Sequence, residues 1–455
     1  MRLKNEIEDS VLENGFDGHN DLFGRKDLAL RLIGLFESIE HGSVSVLDGR
    51  WGIGKTTFSK QLAAEFRKRG IPTIYFDAFN YDYIDSPFQA VASTFIKAAI
   101  EAKKINEPSY KAFLEKAASV GRTIAAASAK VGVKVATLGI VNAADLGDLG
   151  KVGETIVDGT ADISEEAVKK LLEEQATAEV KFRELKSALE ELPALLSLQQ
   201  SDESVPLIVF VDELDRCRPD FALGILEVLK HFFRADGIHF ILSANRSALE
   251  FSVHHKYGVG ISAAEYLEKF FDFSIFLDAN YDRYGLNSVS GFVSQTLAHL
   301  LPERSQSAHD TEEDVVNFSI AYRLTLRQIQ SYCINVGLSF RAYNERELRP
   351  STLIAFLCLI KSIRTDIFKG IKSQTARFSD IKSFIDMGEW EDGKKSHILR
   401  FLQYYSDPDI NTNDEEWTGW GNTVFSYNIR RENVMTFLAN KIVDRFGAPS
   451  ERKPI

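Results

Sequence analysis

Cysteine is scarce in this chain, with 3 residues among 455, and its scarcity limits the kinds of site that the chain can build. Cys217, Cys333 and Cys358 lie far apart in the sequence and form no C-x-x-C pair. Zinc knuckles and disulfide frameworks need cysteines that recur at short, regular spacings. The sequence therefore disfavours both, and the simplest expectation is reduced thiols in a cytoplasmic protein.

Uninterrupted apolar runs are also missing. A helix that spans a membrane needs about 20 consecutive apolar residues. The stretch 119–150 is rich in Ala, Val and Gly, but it is interrupted by Arg122, Lys130, Lys134 and Asp145. We expect this stretch to belong to a soluble helical insertion, and contact with a membrane surface is the alternative. No apolar core of a signal peptide follows the N-terminus, so export is not expected.

An excess of positive charge is absent as well. The chain carries 54 Lys and Arg against 65 Asp and Glu, which gives a formal net charge of −11. Because a broad surface for non-specific nucleic-acid binding needs clustered cations, such a surface is disfavoured, while a local basic groove stays open. The 44% apolar and 26% charged residues are typical of a soluble globular protein of two or three domains.

What the chain does contain is a series of short apolar runs separated by amphipathic stretches. Strands are predicted at 44–47, 72–79, 205–211, 238–244 and 273–277. A helix predicted at 55–69 joins the first two strands. A strand, a crossover helix and a second strand form a βαβ unit, and hence a parallel sheet.

Helical patterns dominate the remainder of the chain. They are predicted within 87–200 and at 288–301, 311–340, 351–373, 394–405 and 431–446. The predicted segments are an N-terminal segment with an entry helix (1–40), two parts of one α/β domain (41–86 and 205–285), a helical insertion between them (87–204) and an α-helical C-terminal region (286–455).

A glycine-rich loop follows the first predicted strand. It reads Gly49-Arg50-Trp51-Gly52-Ile53-Gly54-Lys55-Thr56 and matches G-x-x-x-x-G-K-[ST], the P-loop that binds nucleotide phosphates. Glycines allow backbone conformations that side chains would block, so the loop N–H groups converge on the phosphates at a helix N-terminus. The predicted nucleotide contacts are Gly49, Trp51, Gly52, Ile53, Gly54, Lys55, Thr56 and Thr57.

Three side chains of this loop have distinct predicted roles. Lys55 reaches the β- and γ-phosphates and counts among the predicted catalytic residues. Thr56 offers its hydroxyl to Mg²⁺, and Thr57 contacts the region of the α-phosphate.

A second motif, Val211-Asp212-Glu213-Leu214-Asp215-Arg216, ends the strand predicted at 205–211. An acid at the end of a parallel strand lies at the sheet edge where α/β folds bind ligands. Asp212 is the predicted Mg²⁺ partner, and Glu213 is predicted to orient or deprotonate the attacking water. For Asp215 and Arg216 two interpretations stay open. They form a surface charge cluster with Glu213, in which Arg216 can pair with Asp215, or Arg216 bridges protomers or acts on a neighbour's γ-phosphate.

Two more polar residues are candidates for sensing the γ-phosphate. Asn245 follows the strand predicted at 238–244, and it either senses the γ-phosphate and holds the water or caps the next helix. Arg327 lies on a helix of the α-rich region, where it is either a second sensor or an exposed helix arginine.

At these residues the chain resembles the KAP family of P-loop NTPases. The resemblance rests on 49–57, on 211–219 and on Tyr266-Leu267-Glu268-Lys269-Phe270-Phe271, and it covers roughly 20–335. It implies a P-loop fold of the additional-strand type, and often membrane-spanning segments in the insertion. The family's common form is D-D-L-D-R-C, so Glu213 departs from it but keeps a carboxylate there. Many prokaryotic relatives resemble parts of phage- or plasmid-exclusion and defence systems.

The leading hypothesis is a Mg²⁺-dependent ATPase that acts as a homo-oligomeric switch or motor in prokaryotic anti-phage defence or signalling. A nucleotide-gated scaffold that turns over slowly and recruits a separate effector protein is one alternative. A translocase stimulated by nucleic acid is another. GTP specificity is disfavoured because the chain offers no N-K-x-D motif after a predicted strand.

Overall fold

The computed structural model describes most of the α/β domain and much of the helical C-terminal region. The described residues are 12–17, 20–102, 180, 183–184, 186–197, 205–277, 285–298, 300–301, 306–341, 350–391, 393–407, 409–410 and 429–444. Most of the predicted insertion, including 119–150, lies outside the described residues.

Five parallel strands form one sheet. They are β1 (Ser43–Asp48), β2 (Thr73–Asp77), β3 (Leu207–Asp212), β4 (Ile238–Ala244) and β5 (Phe273–Phe276). Their order is β2-β3-β4-β1-β5, so β4 separates the strand before the glycine-rich loop from the strand that ends in Asp212. This order confirms the predicted additional-strand fold class, and all five predicted strands are present.

Helices cover both faces of the sheet. They are α1 (Lys26–Ser38), α2 (Lys55–Lys68), α3 (Pro87–Ala102), α4 (Pro219–Val228), α5 (Arg246–Tyr257) and α6 (Ala263–Glu268). The first two pack on one face around Phe36, Phe58 and Phe66. The other four, with the helical residues 186–196, cover the opposite face. Every residue of β3 and β4 is buried as a result, as expected for central parallel strands.

The register of the sheet brings the carboxyl ends of its central strands to one edge. Asp48 at the end of β1 pairs with Ala244, and Asp212 at the end of β3 pairs with Ser243. Asp212 also pairs with Asp77, the last residue of β2. The two predicted motifs therefore lie at the same edge of the sheet, on either side of the end of β4.

The regular structure of the C-terminal region, within the described residues, is helical. Its helices are α7 (Gly285–Ala298), α8 (Gln306–Ala321), α9 (Leu326–Arg341), α10 (Ser351–Ile363), α11 (Thr365–Lys372), α12 (Phe378–Asp386), α13 (Lys394–Ser406) and α14 (Val434–Leu438). They share a hydrophobic core that is separate from the two cores of the sheet.

Two single helices predicted here are wrong. The predicted helix 311–340 is divided at Arg323, which adopts a left-handed backbone conformation with φ 44°. The N–H of Leu324 donates to the carbonyl of Ser319 at 2.9 Å, and that of Arg323 to Ile320 at 2.9 Å, which is the hydrogen-bond pattern of a Schellman motif. The predicted helix 351–373 is likewise divided, at Arg364. The sequence prediction also missed α12.

None of the helices within the described residues is both long and apolar enough to cross a bilayer. The stretch 119–150, for which membrane contact was the alternative, lies outside those residues.

One of the buried titratable side chains of the sheet is a histidine. His239 on β4 is fully buried, and its Nδ1 lies 2.8 Å from the hydroxyl of Ser43 on β1. Its ring packs 5.5 Å from that of Phe36, centroid to centroid. Burial lowers the pKa of His239 to about 4.

We expect this histidine to make folding stability depend on pH. An unfolded histidine titrates near pH 6.5, so the unfolded chain takes up a proton that the folded chain refuses as the pH falls from about 6.5 to about 4. The contribution of His239 to the free energy of unfolding is fully present above that window. About 1–3 kcal/mol should be lost on acidification through it. Urea unfolding at several pH values measures this effect. The free energy of unfolding of His239→Gln should fall less on acidification than that of the parent. His255→Gln changes an exposed histidine and should decline like the parent. Equal slopes for the parent and His239→Gln would contradict the assignment.

Candidate functional site

The glycine-rich loop connects β1 to α2 through two left-handed glycines. Gly52 has φ 80°, and Gly54, the residue before the first turn of α2, has φ 93°. Residues with a Cβ rarely adopt such φ values. The loop also approaches its surroundings closely, because a Cβ on Gly49 would lie 3.0 Å from the carbonyl oxygen of Leu277. The loop backbone is therefore shaped as the sequence motif predicts.

The side chain of Lys55 is folded into this loop and only 8% exposed. Its Nζ donates to the carbonyl of Gly49 at 2.6 Å and lies 3.8 Å from Oδ2 of Asp215. Burial lowers the pKa of Lys55, and the negative charges around it, that of Asp215 foremost, oppose this shift. A buried ammonium held by a carbonyl and carboxylates can form charge-assisted hydrogen bonds with a phosphate.

Asp212 is buried at the end of β3. Its Oδ1 accepts the N–H of Glu213 at 2.9 Å, and its Oδ2 accepts the hydroxyl of Tyr75. Burial and the charge of Asp212 raise the pKa of Tyr75, so the phenol stays a donor. Sequence reasoning missed Tyr75. The available signal was its place on β2, two residues before the strand end, where alternation gives it the same side of the sheet as Asp77.

Glu213 adopts a left-handed backbone conformation, with φ 59° and ψ 22°. Among the described residues of the two motifs, it is the one residue other than glycine that does so. This conformation turns the chain sharply after β3. Its Oε2 pairs with Nη1 of Arg216 at 2.6 Å. Burial raises the pKa of Glu213, while the Arg216 guanidinium lowers it and the charge of Asp212 raises it further. Arg216 therefore pairs with Glu213 rather than with Asp215, which contradicts the alternative in which Arg216 and Asp215 pair, and its action on a neighbouring protomer stays a prediction.

Asp215 is not the surface charge that one interpretation expected, because its side chain is 4% exposed. Its Oδ2 accepts the indole N–H of Trp51 at 2.8 Å and the backbone N–H of Asn245 at 2.6 Å. The acid thus connects the glycine-rich loop with the end of β4.

Asn245 occupies the position before the first turn of α5, but its side chain makes no capping hydrogen bond there. The capping interpretation of Asn245 is therefore wrong, and its role as a γ-phosphate sensor stays a prediction. Arg327 lies at the start of α9, where its backbone N–H donates to the carbonyl of Gly52 at 3.1 Å. Its side chain is exposed and lines the same cavity as the loop.

The cavity above this sheet edge has a volume of about 840 Å³. Lys55, Thr56, Thr57, Asp212 and Glu213 all line it. The structure thus brings together the predicted phosphate-, metal- and water-binding side chains. Its remaining walls come from the N-terminal segment, from Ser243 on β4, from Phe292 on α7 and from the start of α9.

One further residue of the cavity was missed by sequence reasoning. Arg25 lines it from the N-terminal segment, and its Nη2 donates to the carbonyl of Ile53 at 2.9 Å. The backbone N–H groups of Arg25 and Lys26 donate to the carboxylate of Asp21, and these two hydrogen bonds fix the turn that carries Arg25. The available sequence signal was Gly24, a turn-forming residue directly before Arg25 and α1.

The donor set of the cavity fits a magnesium ion. The hydroxyl of Thr56 and the carboxylate of Asp212 are hard oxygen ligands of the type that Mg²⁺ prefers. The carboxylate is also oriented by Tyr75 and by a backbone N–H, as metal ligands usually are. A bound Mg²⁺ would neutralise phosphate charge at this place.

We expect Gly52→Ala to destabilise the protein by about 1–3 kcal/mol, because the new Cβ is strained and meets a neighbour. A Cβ at Gly52 would lie 2.5 Å from that of Arg327, so α9 has to move away. Gly34→Ala on α1 is the matched control, since its Cβ meets nothing within 4 Å, and it should stabilise the helix by about 0.5–1 kcal/mol. Denaturant unfolding measures both effects. An unchanged free energy of unfolding in Gly52→Ala would show that α9 does not pack closely against the loop.

Comparison with known proteins bears directly on this site. No curated protein matches the chain. Among solved structures the chain is similar to the Aeropyrum pernix ORC2 protein in its ADPNP–ADP complexes, with 13% identity, a TM-score of 0.37 and coverage of 98% of this chain and 97% of that chain. The model of the KAP family P-loop domain matches residues 27–343, which include both motifs and more than half of the chain. This protein is therefore a nucleotide-binding P-loop NTPase that belongs to the KAP family.

Proposed function

We propose that this protein is a Mg²⁺-dependent ATPase. The observation that carries the proposal is the convergence of Lys55, Thr56, Asp212 and Glu213 on one cavity of about 840 Å³. Together they supply three requirements of phosphoryl transfer to water: a cation for the phosphates, two oxygen ligands for the metal and a carboxylate for the water.

The arrangement supports a simple order of events. Lys55 leaves the carbonyl of Gly49 and binds the β- and γ-phosphates of ATP, which replace that acceptor. Glu213 accepts a proton from the water that attacks the γ-phosphorus, and the bond to the bridging β–γ oxygen breaks to give ADP and phosphate. The ion pair with Arg216 holds the carboxylate of Glu213 before it accepts this proton.

The two sensor candidates lie where a change at the γ-phosphate can be transmitted. Asn245 follows β4, between the two motifs, and Arg327 contacts the loop through its backbone. Because α9 belongs to the core of the helical region, movement of the loop at Gly52 is transmitted to that region. This connection supports a nucleotide-driven switch.

The catalytic part of this proposal predicts separate effects for two substitutions. Glu213→Gln keeps the shape of the side chain but not its basicity, so ATP affinity should stay within a few-fold while kcat falls about 10²–10⁴-fold. Lys55→Ala removes the phosphate partner and should weaken ATP binding at least about tenfold. Phosphate release and titration with a fluorescent ATP analogue measure the two effects.

Glu432→Gln, an exposed glutamate of the helical region, is the control and should behave like the parent. Unchanged phosphate release by Glu213→Gln would remove this residue from catalysis. Unchanged ATP affinity of Lys55→Ala would overturn the nucleotide site itself.

We further propose that ATP binding controls assembly into a homo-oligomer, and that the switch serves prokaryotic anti-phage defence or signalling through an effector protein. The resemblance of the two motifs to relatives in exclusion and defence systems supports the biological role. The exposed side chain of Arg216 at the cavity supports assembly, because an arginine presented at a protomer surface is the type of residue that acts on a neighbour's γ-phosphate.

The mass of the protein in solution tests the assembly step. With a non-hydrolysable ATP analogue and Mg²⁺, we expect the parent to shift to a multiple of the protomer mass. Lys55→Ala should not shift, because it does not hold the analogue. A parent that keeps one mass under both conditions would contradict assembly and would favour a nucleotide-gated scaffold.

A further inference from the structure

The carboxylate of Asp215 has an unusual concentration of partners on one oxygen. Its Oδ2 accepts the indole N–H of Trp51 and the backbone N–H of Asn245, and the ammonium of Lys55 lies 3.8 Å away. The side chain is nearly inaccessible to water, with 4% exposure. Since each partner comes from a different part of the site, this oxygen is the point at which the loop, α2 and the end of β4 meet.

Trp51 occupies one of the variable positions of the P-loop motif. Its ring is half exposed, at 50%, so its position is not explained by burial in a core. The hydrogen bond from its Nε1 to Asp215 is what directs the ring towards the second motif. Trp51 is also the residue before Gly52, whose carbonyl accepts the N–H of Arg327. Its anchoring therefore restrains the loop at the place where α9 touches it.

Lys55 is the partner of Asp215 whose position has to change when phosphates bind. In the structure its Nζ is divided between the carbonyl of Gly49 and the carboxylate. A triphosphate in the cavity competes for that ammonium. Asp215 then depends on the N–H groups of Trp51 and Asn245 for its stabilisation, because an unpaired buried carboxylate is unfavourable.

We propose that Trp51 and Asp215 form a positioning link that couples occupancy of the P-loop to the end of β4. The link holds the loop in its phosphate-binding shape through the indole N–H, and it holds the backbone of Asn245 through the same carboxylate oxygen. Release of Lys55 to the phosphates tightens both hydrogen bonds. The link rests on the proposed function, since it regulates the same nucleotide site.

The link makes Trp51 and Asp215 interdependent, which a double-mutant cycle measures. The variants are Trp51→Phe, which removes the indole N–H and keeps an aromatic ring, Asp215→Ala, and the two combined. Asp215→Asn keeps an acceptor oxygen for both N–H groups and loses only the charge. Trp390→Phe is the matched control, because it removes an indole N–H that donates at 2.8 Å to the carbonyl of Ile385 in the helical region.

The measurements are the Kd for a non-hydrolysable ATP analogue with Mg²⁺, the steady-state kcat and KM for ATP, and the thermal midpoint of each variant. We expect Trp51→Phe to weaken binding roughly tenfold, because a hydrogen bond to a buried charged group is lost. Asp215→Ala should weaken binding at least as much and should also lower kcat roughly tenfold, because it releases Asn245 as well. Asp215→Asn should recover most of the affinity that Asp215→Ala loses.

In the cycle, Trp51→Phe should weaken binding no more than about twofold when Asp215 is already alanine. If the loss of affinity in the double variant equals the product of the losses in Trp51→Phe and Asp215→Ala, the two residues act independently and the link is overturned. Trp51→Phe with the affinity of the parent and of Trp390→Phe would also overturn it. If Asp215→Ala does not fold, the tenfold loss expected in Trp51→Phe alone decides the matter, with Trp390→Phe as its control. A variant with a lowered thermal midpoint but unchanged Kd and kcat would show a structural role and would overturn the proposal.

Failure of the proposed function is recognised separately. A parent that binds the analogue but releases no phosphate overturns hydrolysis and leaves the binding cycle to decide the link. A parent that binds no analogue overturns both.

Discussion

The site depends on the burial of one positive charge among several negative ones. The ammonium of Lys55 lies inside the protein, and Asp48, Asp212 and Asp215 are close enough to act on it. A buried charge is tolerated only when opposite charges or hydrogen-bond partners compensate it. The carboxylates in turn need donors, which are supplied by Tyr75, Trp51 and the backbone. The charges within the site are thus balanced, and a phosphate with its metal ion would change the partners of each group.

The sheet order makes this arrangement possible. With β4 between β1 and β3, the P-loop and Asp212 stand one strand apart, and the end of β4 lies between them. A carboxylate that follows β3 can therefore reach the backbone after β4 and a side chain of the loop at the same time, as Asp215 does. In a sheet with β1 and β3 adjacent, these three partners would not meet at one oxygen.

The helical region is part of the same arrangement, because α9 begins against the loop. The carbonyl of Gly52 accepts the N–H of Arg327, and Leu326 lies close to Gly54. The glycines therefore serve two purposes. They allow the left-handed turns of the loop, and they leave room for a helix that belongs to another hydrophobic core. This shared contact is the one on which the proposed nucleotide-driven switch depends.

The sequence by itself determined the strands, their parallel arrangement and the residues of the two motifs, because those signals are local. Apolar runs, glycines and strand-end acids are within a few residues of one another, and the chemistry of phosphate and Mg²⁺ restricts which residue types serve. Only the tertiary structure decided the partners of Asp215, Arg216, Tyr75 and Arg25, since each contact depends on how the strands and segments are juxtaposed. The division of the predicted helix 311–340 at Arg323 was not visible in the sequence either. Arg323 adopts the left-handed conformation that glycine usually marks, so its residue type gave no sign of a helix end.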